Sequence, residues 1–389
     1  MKTVYLDNNA TTAVAPEVVD AMTPVLRDHY GNPSSMYGLA RTTAYQLKEA
    51  RAKVAALIGA APGEIVFTSC GTESDATAIW SALRSRPDRR HVVTTAVEHS
   101  AIKNLAEHLG QNGYRVTFVP VDEAGRLDLD HLRDHLSDDT AVVSVMWANN
   151  ETGVLFPVEE IARICRERGI LFHTDAVQAV GKIPIDLSDG AIDMLSLSGH
   201  KLHAPKGVGA LYVRKGTPFQ PFLIGGHQEA GRRAGTENVA SIVGLGRAAQ
   251  LAREWMADEN GRVRELRDRL EAALLERIPQ SRVNGDRDNR LPNTTNIAFD
   301  YVEGESILLL LDEAGICASS GSACTTGSLE PSHVLRAMKV PHESAHGSVR
   351  LSLSIHNTAE EIDYVIETLP PIVERLRQMS PFWKEACAG

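Results

Sequence analysis

From residue 64 to residue 213 the sequence alternates short apolar segments with amphipathic segments of helical period. Short apolar runs between turn residues are typical of strands that are buried on both faces of a sheet. Strands alternating with helices predict an α/β fold with a mostly parallel sheet. Seven strands are predicted, at residues 64–68, 91–95, 115–121, 141–147, 170–174, 194–197 and 209–213. Ligands bind beyond the carboxyl ends of such strands, so the residues that follow each strand are the first candidates for function.

A chain of 389 residues is too long for one usual core, so two domains are expected. The pattern changes after a long helical region, 240–278, which is interrupted near Asn260 and Gly261. Beyond it, strands and helices follow one another without the regular alternation, which predicts an α+β unit. We therefore expect a large α/β domain at residues 16–255 and a small α+β domain formed by residues 1–15 and 256–389.

The composition limits which partners the protein can bind and in which cellular compartment it is expected. Lys and Arg number 40 and Asp and Glu number 50, and a net charge of -10 argues against a nucleic-acid-binding surface. No segment reaches the roughly 20 apolar residues of a membrane span, and the first residues lack the apolar stretch of a signal peptide. The five cysteines are widely spaced and form no Cys-x-x-Cys pair, so we expect reduced thiols, no resident metal and a cytoplasmic protein.

The segment Ser198-Gly-His-Lys201 follows the predicted strand at 194–197. Burial of a lysine amine at a strand end lowers its pKa, which suits it to form a Schiff base with a carbonyl. The alternative is a surface lysine in the turn after the strand. Lys206 is a second candidate for the same role, but it lies beyond Pro205 and away from the strand end.

The segment after the strand at 64–68 leads into a helix and contains Gly71 and Thr72. Free backbone amides at this helix start would bind an anion, best of all a phosphate. Thr72 and Asp75 also have the spacing of a capping box, so an ordinary helix cap is the alternative. Neither a Walker loop nor a Gly-x-Gly-x-x-Gly motif is present, which argues against a nucleotide fold.

Three further side chains follow predicted strands. Asp175 ends an apolar strand, where a buried carboxylate needs a cationic partner. The protonated ring nitrogen of pyridoxal phosphate (PLP) is such a partner, and capping of the next helix is the alternative. His99 is suited to stack on a ring or move protons, and Asn150 to bond a ring substituent. A phosphate cup, a histidine, an amide, a carboxylate and a lysine at successive strand ends together predict a PLP site.

Arg350 and Cys324 complete the predicted chemistry. Apolar side chains alternate with polar ones around Arg350, which places it on the wet face of a half-buried strand. There a guanidinium can clamp a substrate carboxylate, or form an internal ion pair. Cys324 lies in a run of small residues without core-filling side chains, which predicts an accessible thiol on a mobile loop at about 318–330.

The sequence resembles those of cysteine desulfurases, which are fold-type-I, class V aminotransferase-like PLP enzymes. The stretches that carry the resemblance are Tyr5-Leu-Asp-Asn-Asn-Ala-Thr-Thr12, Gly31-Asn-Pro-Ser-Ser35, Phe67-Thr-Ser-Cys-Gly-Thr-Glu-Ser-Asp75, His173-Thr-Asp-Ala-Val-Gln178, Ser198-Gly-His-Lys201 and Ser319-Ser-Gly-Ser-Ala-Cys-Thr325. They occur in the family's order over nearly the whole chain. Cys70 and residues 147–153 and 201–206 are further similar to the nitrogen-fixation type of the family, NifS, rather than the housekeeping type.

The resemblance implies a role for each site residue. Lys201, Cys324 and His99 are the catalytic residues, and Arg350 and Asn32 bind the substrate. The implied cofactor-binding residues are Gly71, Thr72, Asn150, Asp175, Gln178, Ser198, His200, Lys201 and Thr236. Among them, Asp175 pairs with the ring nitrogen, and Thr236 reaches the phosphate of a neighbouring subunit. A homodimer with shared sites is therefore implied.

The implied reaction converts L-cysteine to L-alanine and leaves a persulfide on Cys324. The sulfur then passes to an iron–sulfur scaffold protein of the NifU or IscU type, for nitrogenase maturation, and transient contact of Cys324 with a cluster fits this chemistry. A selenocysteine lyase, a class V transaminase and a non-catalytic scaffold protein are the alternatives. A transaminase has no need of Cys324, and a non-catalytic protein has no need of Lys201 or Asp175.

Overall fold

The structure, a computed structural model, describes residues 3–320, 331–381 and 383. Its strands are β1 (Val4–Tyr5), β2 (Ile65–Thr68), β3 (His91–Thr95), β4 (Arg115–Val119), β5 (Thr140–Ser144), β6 (Leu171–Asp175), β7 (Met194–Ser198), β8 (Gly209–Val213), β9 (Ser281–Val283), β10 (Thr294–Phe299), β11 (Ile316–Cys317) and β12 (Ser348–Ser352). Its helices are α1 (Pro16–Arg27), α2 (Gly38–Leu57), α3 (Gly71–Ser85), α4 (Ser100–Gln111), α5 (Leu129–His135), α6 (Val158–Glu167), α7 (Val239–Asp258), α8 (Arg264–Arg277), α9 (Gly304–Glu313), α10 (His333–Ala337), α11 (His342–His346) and α12 (Ala359–Met379).

The seven predicted strands form one sheet in the order β2-β8-β7-β6-β5-β3-β4. β8 runs antiparallel to both of its neighbours, and every other pair in this sheet is parallel. Every residue of β3, β5, β6, β7 and β8 is buried, because helices cover both faces. The predicted α/β fold class is confirmed. Strands β2, β3, β5, β6 and β7 point the same way, so their carboxyl ends share one edge.

The second half of the chain builds a smaller layer of strands. β12, β10 and β9 form an antiparallel sheet, and β1 pairs with β11 in parallel. Their apolar side chains share a separate core with α8, α9 and α12, which extends from Val4 to Val373. The first and last parts of the chain therefore pack together. The predicted domain boundary between residues 255 and 256 stays a prediction.

The predicted interruption of the long helical region is a π-helical turn, Glu259–Val263, between α7 and α8. Such turns interrupt the helical hydrogen-bond pattern and are frequent near functional sites. This one places Asn260 against the main chain of the sheet domain, since Asn260 Nδ2 donates to the carbonyl of Lys182 at 2.9 Å.

No helix in the described ranges is long and apolar enough to cross a membrane.

Candidate active site

A cavity of about 270 Å³ lies at the shared carboxyl edge of the sheet. The predicted site residues that line it are Gly71, Thr72, His99, Asn150, Asp175, Gln178, Ser198, His200, Lys201 and Arg350. Apart from Arg350, these residues follow β2, β3, β5, β6 and β7, or end one of those strands. Parallel strands bring side chains together at this edge, so segments far apart in sequence converge on one cavity.

Lys201 is the last residue of a 3-10 turn directly after β7. Its Nζ donates to the carbonyls of Asn9 at 2.5 Å and Ala10 at 2.6 Å. Burial, assisted by the charges of Lys182 and Arg350, lowers the pKa of Lys201 to about 7. A substantial fraction of the amine is therefore unprotonated and nucleophilic at neutral pH. Lys206 is exposed and does not line the cavity.

Asp175 ends β6 and is buried at the cavity wall. Its Oδ1 accepts from the amide of Val177 at 2.9 Å, so the carboxylate caps the following turn and also lines the cavity. Burial raises the pKa of Asp175, although His99 and Lys201 act in the opposite direction. A cation placed beside this carboxylate would stabilise its ionised form, which suits a protonated pyridine ring.

The start of α3 and the end of β7 form a site suited to a phosphate. The hydroxyl oxygen of Ser198 is buried and has no hydrogen-bond partner among the residues that the structure describes. A Cβ on Gly71 would lie 2.9 Å from Val177 Cγ2, so the close approach of this side chain to the start of α3 favours glycine there. The first amides of a helix have no partner within the helix and bind anions. These features fit the phosphate of PLP.

The predicted capping box of Thr72 and Asp75 is wrong. Cys70 is the N-cap of α3, and no side chain caps this helix end. Asp75 is instead 1% exposed and lines the cavity, where burial and the nearby Asp175 raise its pKa well above the usual value. The Ser/Thr-x-x-Asp spacing does not distinguish a cap from an acid that faces a cavity.

Two histidines lie on the cavity wall as neutral rings. His99 is the N-cap of α4, and its Nδ1 accepts from the amide of Ala101 at 3.2 Å. The neutral ring therefore carries its proton on Nε2. Burial, with the charge of Lys201 acting in the same direction, lowers the pKa of His99. Burial and Lys201 also lower the pKa of His200 to about 4.

Asn9, which was not predicted to be a site residue, is 1% exposed and lines the cavity. Its carbonyl accepts from Lys201 and, at 2.9 Å, from Gln178 Nε2. Gln178 lines the cavity as predicted, but its amide is bonded to Asn9 and Lys182. The remaining cavity residues that were overlooked or given another role are Ala10, Cys70, Asp75, Met146, Ala148 and Val177.

The predicted exposure of Arg350 is wrong, although the residue does line the cavity. All five residues of β12 are buried, and Arg350 is 2% exposed. The chain near Asp7 and near Ser319 pairs with the edge of β12 opposite β10, and the side chain of Arg350 lies at the cavity wall within the protein. Arg350 donates to Asp7 Oδ1 at 2.7 Å and to the carbonyl of Asn150 at 2.9 Å. The predicted alternative, an internal ion pair, is therefore present.

Among the described residues, two predicted site residues do not line this cavity. Asn32 lies in an exposed turn and accepts from the amide of Ser34 at 2.9 Å. Thr236 is exposed and lies in the segment of chain between β8 and α7. Cys324 lies outside the described residues, so its predicted role stays a prediction.

Within the described ranges, no group of three or more His, Cys, Asp or Glu side chains is arranged to hold a metal ion.

Comparison with known proteins agrees with this geometry. The class-V aminotransferase family matches residues 4–365. A relative from Azotobacter vinelandii, cysteine desulfurase NifS, is 62% identical over 384 residues, which cover 98% of this chain and 96% of that protein. The solved structure of a NifS-like protein superposes with a TM-score of 0.90 at 38% identity, covering 96% of this chain and 100% of that one. A structure of SspA in complex with cysteine has a TM-score of 0.80 at 33% identity, covering 92% and 100% of the two chains.

The fold and the site define a PLP-dependent enzyme of fold type I. The chain belongs to the class-V aminotransferase family, and within it to the cysteine desulfurases.

Proposed function

We propose that this enzyme takes sulfur from L-cysteine and delivers it, as a persulfide on Cys324, to an iron–sulfur scaffold protein of the NifU or IscU type. The observation that carries the proposal is the Lys201 amine held at the cavity wall beside Asp175. The similarity to NifS of Azotobacter vinelandii supports a role in nitrogenase maturation. Cys70, Cys165 and Cys317 form no disulfide with one another, which fits a cytoplasmic location.

The residues of the cavity divide into cofactor-holding and substrate-holding groups. Lys201 would join the aldehyde of PLP, Asp175 would face the ring nitrogen, and Gly71, Thr72, Ser198 and the α3 amides would hold the phosphate. When bound, PLP withdraws electrons from the substrate Cα. Arg350 would orient the substrate carboxylate, because its guanidinium is already fixed by Asp7 and Asn150.

The chain's own groups then move protons and sulfur. The Lys201 amine, with a pKa of about 7, can accept the Cα proton at neutral pH. His99 holds a proton on Nε2 for the steps around sulfur transfer. The thiolate of Cys324 attacks the substrate sulfur, so the carbon–sulfur bond breaks as a sulfur–sulfur bond forms. The electrons of the broken bond stay on Cβ, and protonation of Cβ together with return of a proton to Cα yields L-alanine.

The direct test measures L-alanine and sulfide formed from L-cysteine in the presence of a thiol reductant. The Cys324→Ala variant should keep the cofactor absorbance and lose sulfide release, whereas Cys387→Ala should behave like the wild type. Full turnover by Cys324→Ala would contradict the assignment of the nucleophile. Comparison of the rates on L-cysteine and L-selenocysteine separates a desulfurase from a selenocysteine lyase, and pyruvate-dependent turnover would indicate a transaminase.

The exposed position of Thr236 supports a homodimer in which this residue completes the partner's phosphate site. Mixed dimers test this arrangement. Lys201→Ala chains and Thr236→Arg chains should each be inactive alone and regain activity when mixed, since one site of the mixed dimer has both native residues. Lys201→Ala chains mixed with Asp175→Ala chains are the control and should stay inactive, because both residues belong to the same site. Activity of the pure Thr236→Arg chains at the wild-type level would contradict the shared site.

A further inference from the structure

A second lysine, Lys182, is buried close to Lys201. It is 5% exposed, although lysine is among the residues that are rarely buried. Its Nζ donates to Asn9 Oδ1 at 3.1 Å and to Gln178 Oε1 at 3.0 Å. Both acceptors are neutral amides. A buried cation without a directly bonded carboxylate is costly, so its position calls for a reason other than stability.

Asn9 connects the two lysines. Its side-chain oxygen accepts from Lys182, while its main-chain carbonyl accepts from Lys201 at 2.5 Å. The rest of the residue is also held, because its amide donates to Ser352 Oγ at 2.9 Å and its Nδ2 to Thr294 Oγ1 at 2.9 Å. Asn9 therefore has a single orientation, and Lys182 helps to set the direction of the carbonyl that holds the Lys201 amine.

The π-helical turn holds Lys182 from the other side. Asn260 Nδ2 donates to the main-chain carbonyl of Lys182, and Glu259 of the same turn is buried. A small cavity of about 20 Å³, which is room for about one water molecule, has Lys182, Lys201 and Glu259 among its lining residues. Glu259 Oε2 has no hydrogen-bond partner in the described part of the chain. Burial raises the pKa of Glu259 to about 7, although the charge of Lys182 opposes this shift. The two groups thus interact without a direct bond, and Lys182 keeps its own bonds to Asn9 and Gln178.

We propose that Lys182 is a positioning residue for Lys201, which it orients through Asn9 and next to which it keeps a second positive charge. The inference rests on the proposed function, in which Lys201 carries the cofactor. The charged groups that act on Lys201 are Lys182 and Arg350, which disfavour its protonation, and Asp7 and Asp175, which favour it. Burial lowers the pKa of Lys182 itself to about 8, so this lysine still carries its charge at pH 7. Loss of that charge should therefore make the Lys201 amine easier to protonate and slower to react at neutral pH.

The experiment follows the capture of pyridoxal phosphate by the full-length protein after its cofactor has been removed. The capture rate, read from absorbance between about pH 6 and pH 10, should rise with a midpoint near pH 7 in the wild type, the pKa of Lys201. Lys182→Met should raise the midpoint by about one pH unit, which slows capture about fivefold at pH 7 and leaves it unchanged near pH 10. Lys182→Arg keeps the charge and should retain the wild-type midpoint. Lys206→Met removes an exposed lysine nearby and is the matched control.

The outcomes separate this inference from the proposed function. If Lys201→Ala captures the cofactor like the wild type, the assignment of Lys201 fails, and the role of Lys182 fails with it. If Lys201→Ala abolishes capture but Lys182→Met keeps the wild-type midpoint, only the role of Lys182 is overturned. Should Lys182→Met not fold, Lys182→Gln retains a hydrogen-bond donor without the charge, and an unshifted midpoint in that variant overturns the inference equally.

Discussion

The guanidinium of Arg350 and the carboxylate of Asp7 are 2.7 Å apart, although 343 positions separate them in the chain. The pair fixes one side of the guanidinium, and the carbonyl of Asn150 fixes another. Arg350 Nε has no hydrogen-bond partner within the described ranges, although the residue is buried. A fixed arginine with spare hydrogen-bonding capacity at a cavity wall is suited to bind a carboxylate.

Arg350→Lys should raise KM for L-cysteine about 10- to 100-fold, because a hydrogen bond to a charged group contributes about 1.5–3 kcal/mol. Lysine keeps the charge but lacks the planar fork that matches a carboxylate. Steady-state kinetics check this expectation. Cysteamine, which lacks the carboxylate, is the control substrate, and its kcat/KM should be the same in both proteins. An equal loss on both substrates would mean that Arg350 does not bind the carboxylate.

Gly71→Ala should weaken the binding of PLP about tenfold or more with a smaller effect on stability. The added Cβ would lie 2.9 Å from Val177 Cγ2 and 3.6 Å from Ser198 Cβ, so it displaces the walls of the phosphate site. Valine is branched at Cβ and has little freedom to turn away. The dissociation constant of PLP is the measurement. Gly63→Ala is the matched control, since a Cβ there has no atom within 4 Å. Unchanged affinity in Gly71→Ala would place the phosphate elsewhere.

Glu271→Gln tests a buried ion pair that joins α8 to the small sheet. Glu271 Oε2 lies 2.6 Å from both Arg290 Nη1 and Thr295 Oγ1. Burial alone would raise the pKa of Glu271, but these hydrogen bonds outweigh it and hold the pKa below the usual value. A carboxyl group whose pKa is lower in the folded protein than in the unfolded chain stabilises the fold at every pH above its unfolded-state pKa. This stabilisation is lost as the pH falls through the folded-state pKa. The variant should therefore lose about 2–3 kcal/mol at pH 7, and the difference should shrink in acid.

Urea unfolding of both proteins between about pH 3 and pH 7 measures this dependence. Glu367→Gln removes the carboxylate of an exposed pair with Arg277 and should be indistinguishable from the wild type. A stability loss in Glu271→Gln that is the same at every pH would show that the ionised pair is not the cause.

Glu98→Gln should change the pH dependence of stability in the opposite sense to Glu271→Gln. Glu98 is fully buried next to His99, and burial raises its pKa to about 8, although bonds from Met146 and Thr95 oppose the shift. The folded protein then binds a proton that the unfolded chain releases near pH 4.5, so stability falls as pH rises from about 4.5 to 8. Glutamine cannot ionise. Between pH 5 and pH 8 the wild type should lose about 2–4 kcal/mol more than the variant.

Thermal or urea unfolding at several pH values reads out this difference. The exposed Glu343 provides the control, and Glu343→Gln should follow the wild-type curve. Parallel pH curves for the wild type and Glu98→Gln would rule out a neutral, buried Glu98.

The strands of the large sheet were predictable because burial on both faces leaves a continuous apolar signal. The strands at 91–95 and 209–213 match β3 and β8 residue for residue. β4 ends at Val119, earlier than predicted, because Pro120 has no amide to donate. The cavity residues at strand ends were predictable because the carboxyl ends of parallel strands lie at one edge of the sheet, so the residues that follow them lie close together.

What the sequence did not reveal depends on contacts between distant segments. Arg350 has the alternating neighbours of a half-exposed strand, but its side chain is buried against Asp7 and Asn150, which are distant in the sequence. Asn9 lies in a polar segment without a strand-end signal, so nothing local distinguishes it from a loop residue. Lys182 follows Gly181 in a turn, and its main-chain carbonyl accepts from Asn260 of the π-helical turn some 80 positions later.

The bonds of Asn9 have a consequence for the order in which the site can form during protein synthesis. The carbonyl that holds the Lys201 amine is kept in place by Ser352 and Thr294, which leave the ribosome long after Lys201. A nascent chain that ends before β12 therefore contains Lys201 but lacks the Ser352 hydroxyl that fixes the amide of Asn9. The bonds that orient Asn9 are thus complete only when almost the whole chain has been made.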